Sequence, residues 1–147
     1  MLARALSPWL AGPIEHIGST AVPGLTAKPV IDIMAGVRDL ESSVDARVPL
    51  AALHYMYFPY RPDVMHWFCK PSPGRRTHHL HLVPVKSALW TERLIFRDYL
   101  RSSSATAAEY AALKVALAVQ HQFDREAYTD AKGAFVRAVL DRARGET

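Results

Sequence analysis

All ten prolines of this chain lie at or before Pro84, and none follows. Proline breaks helix interiors but is tolerated in turns and at strand edges. Residues about 1–86 are therefore expected to be rich in strands and turns, and residues 87–147 to be helical. The whole, 1–147, has the length of one domain. Half of the residues are hydrophobic and 22% are charged, which supports a packed core. Charge or proline interrupts every apolar stretch well short of the roughly 20 residues a membrane span needs. Met1–Leu10 carries one arginine and no long apolar run, so it does not read as a secretory signal. Cys69 is the only cysteine. No internal disulfide can form, and a cytoplasmic setting is expected.

The first part reads as strands between turn signals. Pro13–Ile17 ends at Gly18, and Pro29–Met34 is apolar enough to be central. Residues 37–53 read as a helix with Pro49 near an end or a kink. Tyr55–Phe58, Met65–Cys69 and Thr77–Val85 are the remaining strand candidates. In the second part, Ser87 can cap a first helix. Thr106 with Glu109 forms a capping box for a second, with Tyr110, Leu113 and Leu117 at helical spacing. A third is expected from Thr129–Asp130, burying Phe135, Val136, Val139 and Leu140. The order of elements implies an α+β or mixed α/β fold, a mixed sheet covered by helices on one face.

Two features carry chemistry. The first joins a turn to an acid. Gly18 lets the backbone approach a ligand, and Ser19 and Thr20 add hydroxyl donors beside free backbone N–H groups that suit phosphate oxygens. Thirteen residues beyond Ser19, Asp32 interrupts an apolar strand of Val30, Ile31, Ile33 and Met34. A carboxylate there is costly unless it binds a backbone amide, pairs with a cation or holds a metal. The spacing is similar to that of nucleotidyltransferases, where a Gly-Ser turn holds the triphosphate and an acid on the next strand holds the bridging metal.

The second feature is Thr77-His78-His79-Leu80-His81-Leu82. In a strand, His79 and His81 share one face. With Asp32 they would make a two-histidine, one-carboxylate metal set. They could equally bind phosphate, act as an acid–base pair, or divide into one core and one exposed histidine. The histidine-triad enzymes need a third histidine where Val83 stands, and His79-Leu80-His81 is not the His-x-Thr/Ser element of two-histidine phosphoesterases. There is no Walker-type loop and no dinucleotide fingerprint.

The run Glu15-His16-Ile17-Gly18-Ser19-Thr20-Ala21-Val22-Pro23-Gly24-Leu25, followed by Ala27-Lys28-Pro29-Val30-Ile31-Asp32-Ile33, resembles the signature of the GrpB family. His79–Leu82, Phe96–Arg101, Tyr110–Lys114 and Tyr128–Lys132 resemble it further, in the same order, so the likeness spans roughly residues 14–140. The resemblance implies a nucleotidyltransferase-like α/β fold without bringing a settled reaction. Two departures are visible. Nucleotidyltransferases carry a second acid two residues after the first, where this chain has Met34. GrpB proteins usually have a longer N-terminal lead and a His-Pro after the Phe-Arg-Asp-Tyr-Leu-Arg motif, where this chain has Ser102-Ser103-Ser104.

These features lead to one expectation with two rivals. The expected site binds a phosphorylated small molecule, foremost a nucleoside triphosphate, through Gly18, Ser19 and Thr20. Lys28, Lys114 and Lys132 would neutralise phosphates. A divalent cation, Mg²⁺ or Mn²⁺ with Zn²⁺ as a further candidate, would sit on Asp32, His79 and His81. Glu15 or a histidine would be the base of a nucleotidyl transfer. The rivals are a binding module without turnover, favoured by Met34, and a metal-dependent hydrolase built on the histidines. The net charge of +4 suits an anionic ligand or simply a solvated surface. No run of five like charges marks a nucleic-acid tail. Residue 34 is expected, from strand alternation, to point towards the metal.

Overall fold

The computed structural model describes residues 1–18, 21–22, 30–72, 75–121 and 124–145. Five strands form one mixed sheet: β1 (Leu10–Ile17), β2 (Ile31–Val37), β3 (Met56–Tyr57), β4 (His66–Ser72) and β5 (Arg75–Pro84), in the order β1-β2-β5-β4-β3. Only β2 and β5 run parallel; β1–β2, β4–β5 and β3–β4 are antiparallel. The apolar β2 and the histidine strand β5 are thus central neighbours. The helices are α1 (Leu2–Leu6), α2 (Leu40–Ser43), α3 (Arg47–Ala52), α4 (Ala88–Ser102), α5 (Ser104–Gln120) and α6 (Arg125–Gly145).

The sheet is covered on both faces, which corrects the expectation of one. Ala35, Val37, Phe68, Leu80 and Leu82 bury against Leu6, Ala46 and Leu50 of the α1–α3 side. The alternate residues Met34, Trp67, Cys69 and Val83 bury with Met65 and with Trp90 of α4. A central strand that is apolar at successive positions needs cover on both sides. Three local expectations also change. Residues 37–53 do not make one helix: α2 and α3 are separated by a 3₁₀ turn at Val44–Ala46, with Pro49 in the first turn of α3. The cap of α5 is Ser103, whose Oγ accepts from the Thr106 N–H, and Thr106 is buried inside the helix. Helix α6 begins four residues before Thr129, with Asp124 Oδ1 accepting from Ala127 N–H. The Ser87 cap of α4 is as expected, accepting from Trp90 N–H.

Candidate functional site

The parallel register pairs Asp32 with His79 and Met34 with His81. Asp32, His79 and His81 therefore emerge on one face. Asp32 Oδ1 lies 3.1 Å from His79 Nδ1 and 3.2 Å from His81 Nε2. Arg93, one turn into α4, reaches over to His81 Nδ1 at 2.7 Å. A guanidinium only donates, so Nδ1 of His81 is the acceptor and its Nε2–H donates to Asp32. Burial pushes His81 down to about 4, against the upward pull of Asp32, so the ring is neutral at pH 7. For Asp32, burial alone would raise the pKa. The hydrogen bonds from His79 and His81 outweigh it and hold the carboxyl well below the usual carboxylate range. Burial lowers Arg93 to about 10, still charged at neutral pH. His79 gives its Nδ1–H to the carboxylate, while its buried Nε2 has no partner among the described residues.

Gly18 backs the carboxylate. It has φ +76°, and a Cβ there would stand 2.7 Å from Asp32 Oδ2. Both the backbone and the space admit only glycine. Beyond Asp32 opens a cleft of about 710 Å³ between this face of the sheet and α4, α5 and α6. Its described lining holds the cations Arg61, Arg93, Arg97, Lys132, Arg137 and Arg144 against the carboxylates Asp32, Glu92 and Asp141. The excess of positive charge in a concave site favours an anionic ligand.

Not every residue expected at the site is there. Gly18, Asp32, His81 and Lys132 line the cleft, and His79 adjoins it through Asp32. Ser19, Thr20 and Lys28 lie outside the described residues. Lys114 is not part of the described lining; its ammonium sits over the Tyr110 ring, 5.3 Å from the centroid. Glu15 is likewise not part of that lining. Its Oε2 accepts from Arg97 Nη1 at 2.7 Å, a part-buried ion pair fastening β1 to α4, so the carboxylate is occupied. Arg97 also donates to the His16 carbonyl, and Arg101 to the Ala21 carbonyl. The Phe96–Arg101 motif thus clamps both sides of the Gly18 turn. Arg93 was missed, although Arg93 and Arg97 stand four apart on one face of α4, a spacing the sequence displays.

The comparisons with known proteins agree along the length of the chain. The pattern of the GrpB protein family matches residues 1–142. The chain belongs to the GrpB family. It is 40% identical over 152 residues to a UPF0157 protein of Pseudomonas aeruginosa, covering 99% of this chain and 62% of that one. It is 34% identical over 133 residues to the glutamate-rich protein GrpB of Alkalihalophilus pseudofirmus, covering 87% and 76%. The crystal structure of conserved protein GrpB from Enterococcus faecalis superposes with a TM-score of 0.83 at 31% identity, covering 99% of this chain and 87% of that one. The chain spans somewhat under two thirds of the length of the Pseudomonas relative. Among the described residues, no helix of this GrpB protein is long and apolar enough to cross a membrane.

Proposed function

We propose that this GrpB protein binds a phosphorylated small molecule, foremost a nucleoside triphosphate, in the cleft beside Asp32, with a divalent cation on that carboxylate. The observation behind this reading is an ionised Asp32 facing a cleft whose described lining carries six arginine and lysine side chains against three carboxylates. A carboxylate within such a cleft suits an anion that arrives with its own cation.

The donor set fits such a cation through Asp32 and not through His81. Both ring nitrogens of His81 are in hydrogen bonds, and the Arg93 charge lies 2.7 Å from one of them. Asp32 alone suffices for Mg²⁺, which commonly takes one or two carboxylates and completes its shell with phosphate oxygens and water. Bound there, the cation would polarise the phosphate. The chain's own residues do the rest. Arg61, Arg93, Arg97 and Lys132 supply charge for the polyphosphate, and His79 and His81 fix the carboxylate's orientation. Of the bases considered, Glu15 is spent on Arg97, while His79 keeps a lone pair on Nε2. That nitrogen is buried and outside the described lining of the cleft, so it does not reach an attacking hydroxyl there.

Met34 favours a second reading, binding without turnover. It faces the same side as Asp32 but is fully buried with Trp67 and Trp90, so the place of a second acid is a core position.

A thermal-shift panel of nucleoside triphosphates with and without Mg²⁺ or Mn²⁺ tests the proposal. A ligand at 100 times its Kd stabilises the fold by about 2.7 kcal/mol. The metal-dependent part of the shift is expected to vanish in Asp32→Asn, while a metal-free triphosphate shift persists. Pyrophosphate release separates transfer from binding alone. No shift with any nucleotide or with inorganic tripolyphosphate rejects the reading.

A further inference from the structure

We propose that Phe58 and Tyr60 form a stacking platform for a planar heteroaromatic ring, so that the ligand of the cleft is a nucleotide and not merely a polyphosphate. The inference rests on the cleft being a phosphate site.

Three observations carry it. The first is exposure out of keeping with chemistry. Phe58 and Tyr60 are 41% and 47% exposed, while Trp67 between them and the histidines is 5% exposed. Both rings make T-shaped contacts with Trp67, at centroid distances of 5.8 and 5.9 Å, and keep their exposed area beyond those contacts. The Arg76 guanidinium lies 5.1 Å from the Trp67 centroid and 5.7 Å from that of Phe58, adding a planar cation to the cluster. Aromatic faces beside an arginine are the surface on which bases stack.

The second is continuity with the carboxylate centre. The Trp67 ring packs against His79 at 4.9 Å between centroids, tilted by 50°, and His79 in turn bonds Asp32. Asp32, His79 and Trp67 sit on three successive strands, β2, β5 and β4. Trp67 thus lies two strand spacings, roughly 10 Å, from the carboxylate, and the platform rings have centroids a further 5.8 and 5.9 Å from its ring. A nucleotide spans such a gap with its sugar, phosphates at one end and base at the other.

The third is the backbone between the two parts. Arg61 has φ +48°, a left-handed conformation that a non-glycine residue rarely adopts. Its carbonyl accepts from Val64 N–H and Met65 N–H, which hold the turn. The turn sends Tyr60 towards Trp67 and Arg61 into the cleft. Neighbouring residues are thereby divided between the aromatic cluster and the cationic wall, at a site where strain is most often retained for function.

The test is calorimetric titration of ATP and of inorganic tripolyphosphate, each with Mg²⁺, into the full chain, the Phe58→Ala/Tyr60→Ala double variant and Tyr60→Phe. The unmodified protein is expected to bind ATP about 5- to 150-fold more tightly than tripolyphosphate, the worth of one stacked base. The double variant should lose that factor and bind tripolyphosphate unchanged. Tyr60→Phe keeps the ring and should keep the preference. Equal affinity for the two ligands in the unmodified protein overturns the platform and leaves the phosphate site standing. Equal weakening of both ligands in the double variant also overturns it, marking the rings as structural. Binding of neither ligand to the unmodified protein removes the phosphate site, and the platform with it.

Discussion

Leu80 and His81 are adjacent in β5, yet they serve different layers. Leu80 and Leu82 point into a closed layer made with Leu6, Ala46 and Leu50, whose few buried polar side chains each bond a backbone carbonyl, His66 that of Leu40 and Ser43 that of Asp39. His79 and His81 point into the layer of Asp32 and Arg93, which is apolar only at one end. That end is filled by Met34, Trp67 and Trp90; the other opens into the cleft. The two faces use the same strands and the same backbone ladder. What separates them is how polar groups are treated. The closed layer ties each one singly to a backbone carbonyl, as His66 is tied to Leu40, and the open layer chains them together, from Arg93 to His81 to Asp32 to His79. A chain of this kind is stable only while each buried group keeps its partner.

The sharpest way to break the comparison is to put a carboxylate at the apolar end of the open layer. Met34→Asp places a charge among Met65, Trp67 and Trp90 with no exposed surface. A buried charge without a partner costs about 3–5 kcal/mol, a large fraction of the stability of a domain. The expected result is a marked fall in the urea midpoint, or insoluble protein, with no gain in Mg²⁺ affinity. A folded Met34→Asp protein that binds Mg²⁺ more tightly would show that residue 34 reaches the site after all.

A milder distinction is pH. His81 sits at about 4 in the folded protein against an ordinary 6.5. Between these values the unfolded chain takes up a proton that the folded one refuses. Stability is therefore full above pH 6.5 and falls as the pH drops towards 4, by about 3 kcal/mol at most. Asp32 has a depressed pKa, so its contribution is present above its ordinary value of 3.8 and is lost as the pH falls further. Leu80, in the closed layer, carries no proton to exchange. In chelator-treated protein, Leu80→Ala should lower the whole stability curve by about 2–5 kcal/mol without altering its slope between pH 4 and 6.5. A flat curve for the unmodified protein over that interval would remove the buried neutral imidazole from the description.

The contrast also explains what could be read in advance. Strand alternation put Asp32, His79 and His81 on shared faces, and the parallel register of β2 and β5 brought them together. Alternation also assigned Met34 to the face of Asp32, correctly, but it carries no information on depth. Two residues further along β2, the same face is already beneath Trp90 of α4. The cationic wall was legible only in fragments. Lys132 was named from a motif, whereas Arg61, Arg93 and Arg137 reach the cleft from a loop and two helices whose packing no local pattern encodes. Lys114 and Glu15 show the converse, motif positions whose side chains are engaged within the fold. One is held over Tyr110, and the other is paired across to Arg97.

The smallest expected effect concerns two glycines that line the same layer for opposite reasons. Gly36 lies in the filled end. A Cβ there would fall 2.3 Å from Val85 Cγ1 and 3.0 Å from Trp90, so alanine forces the packing apart. Gly133 lies inside α6 on the wall of the cleft. Among the described residues, an added Cβ would meet only Arg137 Nη1, at 3.3 Å, the far end of a flexible side chain. Packing therefore gives no reason for glycine, while a glycine in a helix interior is about 0.5–1 kcal/mol less stable than alanine. The remaining feature is the open cleft in front of Gly133, the space that the proposed nucleotide would occupy. Gly133→Ala is expected to raise the melting temperature by about 2–4 °C, while Gly36→Ala lowers it. The same Gly133→Ala protein should bind ATP more weakly, and Gly133→Leu, which fills the gap, more weakly still. If Gly133→Leu bound ATP as tightly as the unmodified protein, the ligand would not pass between α4 and α6, and the open layer would end at Asp32.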